Sequence, residues 1–261
     1  MRELGALWTN RNLVSSLARQ DLRRVQAGTA AGLAWTVLTP LVPLLIFTAV
    51  FAFGLRLPLN GAPYALGFAA AYVRWALMSA SVAGAVGSIV ERRNLVKHVR
   101  FPLQTISASS IVVSSLPHAI LLVLTVAAAL SSGHARLPEL LLVPYFYACA
   151  AALVFGIGLM LSALAVIVRD VQQFVGSLLN VWFWITPVAW ASGALPPQGQ
   201  TLLLLNPAAY VVSGYRYALM PRAFPAPSAT ATIAFWTVTA CFLLLGGAIF
   251  RRLQPHFWEC L

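Results

Sequence analysis

Acidic side chains, which an enzyme or a proton-coupled carrier would need, are scarce in this sequence. Only six of the 261 residues are Asp or Glu. None lies near the middle of a long apolar stretch, where a proton-coupled carrier would place them: Glu3, Asp21, Glu91, Glu139, Asp170 and Glu259. No two of these acids are placed for general acid–base work. The acids therefore give no support to an enzyme activity of this chain.

The single lysine, Lys97, excludes a phosphate-binding loop. That motif needs a lysine inside a glycine-rich loop that surrounds nucleotide phosphates. Lys97 instead lies in residues 91–102, ERRNLVKHVRFP, which contain no glycine. If ATP drives this protein, ATP and Mg must therefore be bound by another chain, and we expect no cofactor in this one.

Cysteine and histidine give no metal-site pattern. The three cysteines are scattered along the chain and the four histidines do not cluster with acids: Cys149, Cys241, Cys260, His98, His118, His134 and His256. Paired spacing is what a disulfide framework or a zinc site requires. We expect neither in this chain.

The composition is that of an integral membrane protein. Hydrophobic residues make up 60% of the chain and charged residues 9%, whereas about a quarter of a soluble domain is charged. The net charge is +11, but the basic residues occupy short loops between apolar stretches. Membrane orientation and anionic headgroups explain that arrangement better than nucleic acid does.

The apolar stretches predict an all-α polytopic fold of one transmembrane domain, residues 1–261. Six are long enough to cross a bilayer, at about 28–55, 64–90, 103–130, 140–168, 171–190 and 228–250. Residues 1–27 favour an amphipathic helix on the cytoplasmic interface, although Asp21 sits close to its apolar stripe. Residues 191–227, broken by proline and glycine, favour short re-entrant or outer-face helices that form a gate segment.

The basic residues predict the orientation. With the N-terminus inside, twelve of the 17 Lys and Arg residues fall in cytoplasmic segments and four on the outer face. By the positive-inside rule, both termini are then cytoplasmic. Arg74 is the remaining basic residue and lies within a span.

The sequence predicts a short basic helix at 91–102 between two spans, ended by Phe101-Pro102. Two interpretations are open: a loop that only sets topology, or a docking surface for a soluble partner. In the second case the contact residues are Glu91, Arg92, Arg93, Asn94, Leu95 and Lys97.

Three other groups are candidates. Arg169 and Asp170 are either a solvated helix end or a clamp at the cytoplasmic mouth. Arg74 either reaches the outer interface or serves the transported substrate. Further substrate-path candidates, which could instead be an interfacial belt, are Trp182, Trp184, Tyr210, Tyr215, Arg216 and Tyr217. Trp182 and Trp184 point about 200° apart on a helix, so only one of them can face a channel.

Several stretches together resemble the permease subunit of polysaccharide-exporting ABC transporters, the Wzm/TagG class. The resemblance covers nearly the whole chain, in order and spacing around the six spans. It is carried by GLAWTVLTPLVPLLIFTAVF (32–51), RRNLVKHVRFP (92–102), VRDVQQFV (168–175), TPVAW (186–190) and LNPAAYVVSGYRYALM (205–220).

The resemblance implies a homodimer of this chain with two copies of a separate cytoplasmic ATPase that grips 91–100. It implies export of a lipid-linked polysaccharide (O-antigen, capsule, teichoic acid or galactan) across the bacterial plasma membrane, through a channel between the two permeases. Arg74 departs from the family, which has a neutral residue before the corresponding Trp75. An exporter of a drug or lipid on the same scaffold, or a passive channel or scaffold, is the alternative.

Overall fold

The computed structural model describes residues 10–26, 33–54, 59, 63–98 and 101–260. This part of the chain is almost entirely helical and contains no β-strand, which confirms the predicted all-α class. Twelve α-helices occur in it: α1 Arg11–Gln26, α2 Leu33–Thr48, α3 Tyr64–Glu91, α4 Arg93–His98, α5 Gln104–Ser131, α6 Leu137–Leu140, α7 Val143–Ile167, α8 Val171–Ile185, α9 Pro197–Leu203, α10 Pro207–Leu219, α11 Ala229–Leu253 and α12 Phe257–Cys260. A π-helical segment, Ala49–Gly54, continues α2, and two 3₁₀ turns occupy Ser192–Ala194 and Gln254–His256.

Among the described residues, five helical segments are long and apolar enough to cross a membrane. They are Val37–Gly54, Tyr64–Glu91, Gln104–Ser131, Leu137–Ile167 and Ala229–Cys260. The predicted count of six is not confirmed, because α8 has only 15 residues and a perpendicular crossing needs about 20. The helix ends early because Pro187 pushes the residue before it out of the helical region, and Thr186 is extended, with ψ 136°.

Helix α1 is amphipathic, as its sequence predicts. Leu17 and Ala18 are buried, while Arg11, Arg19 and Arg23 are exposed. The predicted segment also includes residues 1–9 and 27, which lie outside the described residues. Its placement at a membrane interface stays a prediction.

Helix α3 is the centre of the bundle, packed against α5, α7, α8 and α10. Its alternating small and aromatic residues fill the larger of two hydrophobic cores, with Phe68 and Met78 fully buried. Gly156 and Gly158 allow two close helix contacts. A Cβ on Gly156 would lie 2.8 Å from the backbone nitrogen of Leu243 in α11, and one on Gly158 would lie 3.0 Å from the Cβ of Ala85 in α3.

A second core closes one end of the bundle. It gathers apolar residues from α1, α3, α4, α5, α7, α11 and α12, including Leu17, Ile89, Val96, Phe250 and Phe257. The first and last helices of the described chain therefore contribute to the same core as α4. This places all three at the same end of the molecule.

Residues 191–227 form short helices, as predicted, but α10 does not lie on the surface of the bundle. Val211, Tyr215 and Leu219 of α10 are fully buried, and the helix packs on α3 and α7. Its start is capped by Asn206, whose side-chain oxygen accepts a hydrogen bond from the backbone N–H of Ala208. The position of this segment at an outer membrane face stays a prediction.

Candidate functional site

A cavity of about 770 Å³ opens between α2, α3, α5 and α8. Its lining combines aromatic rings, Trp35, Phe47, Tyr72, Trp75, Phe183 and Trp184, with small polar groups, Thr39, Ser79, Ser114, His118 and Asn180. No Asp, Glu, Lys or Arg of the described chain contributes to it. Such a surface can hold an uncharged ligand by ring contacts and a few hydrogen bonds.

One side of α8, which includes the cavity-lining Asn180, carries exposed polar side chains. Gln173, Ser177 and Asn180 are exposed, and their spacing of four and three places them on one side of the helix. Polar side chains at membrane depth face a bundle interior or a water-filled cavity instead of lipid. This stripe of α8 is therefore suited to water or to another protein chain, while Phe174, Leu178 and Val181 are exposed beside it.

The two candidate tryptophans of α8 have different surroundings. The Trp184 ring is 53% exposed and lines the cavity. Trp182 instead donates from its indole Nε1 to the Asn206 side-chain oxygen at 2.9 Å, and its ring meets Trp75 edge-on, with centroids 5.5 Å apart. The two side chains therefore have different surroundings, and Trp184 is the one that lines the cavity.

Arg74 is fully buried inside the bundle and does not reach a surface. Its guanidinium carbon lies 3.8 Å from the ring centre of Tyr215, and Nη2 lies 3.2 Å from His118 Nε2. His118 Nδ1 is 3.2 Å from the Val73 carbonyl oxygen, so Nδ1 donates there and Nε2 accepts from Arg74. Among the described residues Arg74 has no acidic partner. Only His118 of this cluster lines the cavity, so Arg74 lies one contact behind it.

Arg216 holds an irregular segment of chain together. Its Nε donates to the Gly67 carbonyl at 3.1 Å, Nη1 to the carbonyls of Pro187 and Trp190 at 2.6 and 3.2 Å, and Nη2 to that of Val188 at 2.7 Å. Burial lowers the pKa of Arg216 to about 10, so it remains charged at neutral pH. With its donors used in this way, the guanidinium is not free to meet a substrate in this conformation.

The candidate tyrosines of α10 also lie away from the cavity. Tyr210 is buried, its ring stacked on Phe235 with centroids 4.6 Å apart, and its hydroxyl is 3.1 Å from that of Tyr145. Tyr215 is buried under Arg74, and Tyr217 is half-buried. Their role in a substrate path stays a prediction.

Arg169 and Asp170 lie in the turn between α7 and α8, and both side chains are exposed. No ion pair joins them in the described structure. Asp170 is the residue preceding α8, where the helix dipole favours an acid, so its charge does not require a basic partner. A role at the mouth of the transporter stays a prediction for both.

The candidate contact residues around α4 divide into two groups. Glu91, Arg93, Asn94 and Lys97 are exposed, and Leu95 is half-buried against the second core. Arg92, by contrast, is 6% exposed and forms an ion pair with Asp21 of α1. The exposed group can meet a partner, and Arg92 belongs to the interior.

Sequence reasoning missed two features of these sites. The aromatic lining contributed by Trp35, Phe47 and Tyr72 comes from two helices, and only the packing of α2 on α3 brings these rings together. Asp21 was not singled out as a partner of Arg92, although an acid close to the apolar stripe of α1 was a usable signal, because a buried acid needs a counter-charge.

Three relatives are similar to this chain over almost its full length. Two are named O-antigen export system permease protein RfbA: one from Myxococcus xanthus, 25% identical over 100% of both chains, and one from Klebsiella pneumoniae, 23% identical over 96% of this chain and 95% of the relative. The third is the polysialic acid transport protein KpsM of Escherichia coli, 21% identical over 92% of this chain and 93% of the relative.

The profile of one protein family covers most of the sequence. It is described as ABC-2 type transporter and matches residues 12–220, from α1 through the end of α10. The match therefore includes α4, the cavity helices and the Arg216 segment. This chain is a multi-pass membrane protein that belongs to the ABC-2 type transporter family.

Proposed function

We propose that this chain is the membrane-spanning subunit of an ATP-driven exporter of a lipid-linked polysaccharide in the bacterial plasma membrane. The cavity between α2, α3, α5 and α8 carries this proposal, because its rings and small polar groups suit sugar faces and its lining has no fixed charge. Stacking on rings tolerates different sugars and allows a polymer to slide. The names of the relatives point to the same substrate class.

A homodimer is the assembly we propose. No residue of the segment Val37–Gly54 is fully buried within one chain, and the polar side of α8 beside it is unsuited to lipid. A second copy that covers α2 and α8 would turn two open cavities into one enclosed path.

Two copies of a cytoplasmic ATPase complete the proposed complex and supply the bound ATP and Mg. The exposed side chains around α4, chiefly Arg93, Asn94 and Lys97, form the proposed contact. Their positive charge favours an acidic groove on the ATPase.

Cysteine labelling tests the proposed orientation, with both termini inside. In a background without the native cysteines, an impermeant thiol reagent should label Gly193→Cys from outside, because Gly193 is open, with no atom near its Cβ position. It should label Arg252→Cys only after permeabilisation. Labelling of position 252 in intact cells would overturn the orientation.

Substitution of the two α8 tryptophans tests the aromatic path. Trp184→Ala should lower export about twofold to tenfold, because one ring contact is worth about 0.5–1.5 kcal/mol, without loss of folded protein. Trp182→Ala should instead destabilise the fold by on the order of 3 kcal/mol, since it removes a core ring and the partner of Asn206. The measurement is surface polysaccharide per membrane-inserted chain.

Two outcomes would count against the aromatic path. Unchanged export in Trp184→Ala would mean that the ring only borders lipid. Loss of folded protein in that variant would mean that it belongs to the core. Trp182→Phe, which keeps a ring but removes the indole N–H, serves as the control for the hydrogen bond to Asn206.

An exporter of a lipid or drug is the alternative on this scaffold, because much of the cavity lining is apolar. Depletion of this protein from cells distinguishes polysaccharide export from lipid or drug export. Accumulation of a lipid-linked glycan on the cytoplasmic side would support polysaccharide export. Unchanged glycan pools together with accumulation of a free lipid would favour the alternative.

A further inference from the structure

Helix α1 is joined to the start of α4 by one partly buried ion pair. Arg92 donates from Nη2 to the carboxylate of Asp21, and the two side chains are 5% and 18% exposed. Arg92 Nη1 also donates to the Ser88 carbonyl oxygen at 3.0 Å. The guanidinium is thus anchored on α3 and reaches α1 from the residue that precedes α4.

Apolar contacts beneath the pair strengthen the same connection. Leu17 of α1, Ile89 of α3 and Val96 of α4 belong to the second core, and all three are 4% exposed or less. Shielding by this core makes the ion pair stronger than a surface pair, and separation of the pair leaves a buried charge without a partner. Helices α1 and α4 are therefore expected to move together.

The connection continues to the cavity. Helix α1 packs along α5, and α5 contributes Ser114, Pro117 and His118 to the cavity lining. A displacement of α4 can therefore reach the cavity through α1 and α5, as well as through α3.

We infer that Asp21 is a positioning residue for ATP-driven transport: its pair with Arg92 makes α1 follow α4, so that movement of α4 reaches the cavity helix α5. The inference rests on the proposed function, in which a cytoplasmic ATPase grips α4. Asp21 touches neither ATPase nor substrate in this scheme. Its contribution is to the amount exported per ATP hydrolysed.

The test uses the full complex of this chain with the ATPase that co-purifies with it, reconstituted in membranes. Asp21→Asn keeps the size of the side chain and removes its charge. We expect it to retain the bound ATPase and ATP hydrolysis and to lower polysaccharide export per ATP about fivefold or more. The swap of Asp21→Arg with Arg92→Asp should recover part of that loss. Arg19→Gln, an exposed change on the same helix, should have no effect.

A reversible version of this test gives a result that does not depend on how well one variant folds. In a background without native cysteines, Asp21→Cys with Arg92→Cys is joined by a short cleavable bis-thiol crosslinker. Export per ATP should rise when the link is formed and fall again when it is cleaved, in the same preparation.

The outcomes separate this inference from the proposed function. Normal export per ATP in Asp21→Asn, no recovery in the swap, or no response to the crosslinker would overturn the inference. Loss of the ATPase from Asp21→Asn would also overturn it, because the pair would then hold the docking surface instead of transmitting motion. Failure of wild-type chain to bind any ATPase would instead overturn the proposed function.

Discussion

Replacing Arg216 with methionine is expected to abolish most of the folded, membrane-inserted protein. Its guanidinium donates to four carbonyl oxygens, three of them in the non-helical residues 187–190. A buried carbonyl left without a donor costs about 1–3 kcal/mol, and several are lost together. The total loss is a large part of the free energy of unfolding of a folded domain, which is about 5–15 kcal/mol.

The measurement is the yield of monodisperse protein after detergent extraction and its survival on heating. Arg222→Met, the same change at an exposed arginine nearby, is the matched control and should behave as wild type. Arg216→Lys should be intermediate, because an ammonium group keeps the charge but lacks the planar set of donors. Wild-type yield and heat resistance in Arg216→Met would contradict this account of the 187–190 segment.

The second large effect is expected at the contact between α7 and α11. A Cβ on Gly246 would lie 2.3 Å from the carbonyl oxygen of Gly156. Because the obstructing atom belongs to the backbone, no side-chain rotation can relieve the overlap. Gly246→Ala should therefore destabilise the protein by about 1–3 kcal/mol or more, even though alanine favours a helix by about 0.5–1 kcal/mol.

Gly176→Ala is the control for this substitution. Gly176 also lies inside a helix, but a Cβ there meets no atom within 4 Å, so only the helix preference remains. Thermal aggregation of the purified variants, measured by size-exclusion chromatography, should distinguish Gly246→Ala from Gly176→Ala. Equal stability of both variants would show that α7 and α11 can move apart without cost.

The long helices were predictable because their ends carry local signals. Helix α3 was expected at 64–90 and runs over Tyr64–Glu91, and α5 was expected at 103–130 and runs over Gln104–Ser131. Between these ends the chain is almost uncharged, and proline or arginine flanks each stretch. Hydropathy and length together with these flanking residues therefore indicate where such helices begin and end.

The length of α8 was predicted less well because hydropathy does not distinguish a helix from an apolar turn. Val188 and Ala189 are apolar and buried, like the residues of a membrane-spanning helix. They nevertheless follow Pro187 and lie in an irregular segment whose carbonyl groups accept hydrogen bonds from Arg216. Only the folded position of α10 provides the donors that this backbone needs.

The surroundings of the buried arginines could not be read from sequence. Arg74 and Arg216 each appear as one charge in an apolar stretch, and the spacing along the chain does not show what lies across the bundle. Arg74 meets His118 from α5 and Tyr215 from α10, residues far apart in the chain. Similarly, Trp182 and Trp184 were predicted to point apart, but which one faces the cavity depends on Asn206.

The second core has a consequence for how the protein is made. It combines Leu17 with Phe250 and Phe257, which leave the ribosome only after all the helices between α1 and α11. During synthesis this core therefore stays incomplete until α11 and α12 have been made. A product cut short before α11 ends would lack Phe250 and Phe257 and would leave the apolar residues that they cover exposed, which favours aggregation.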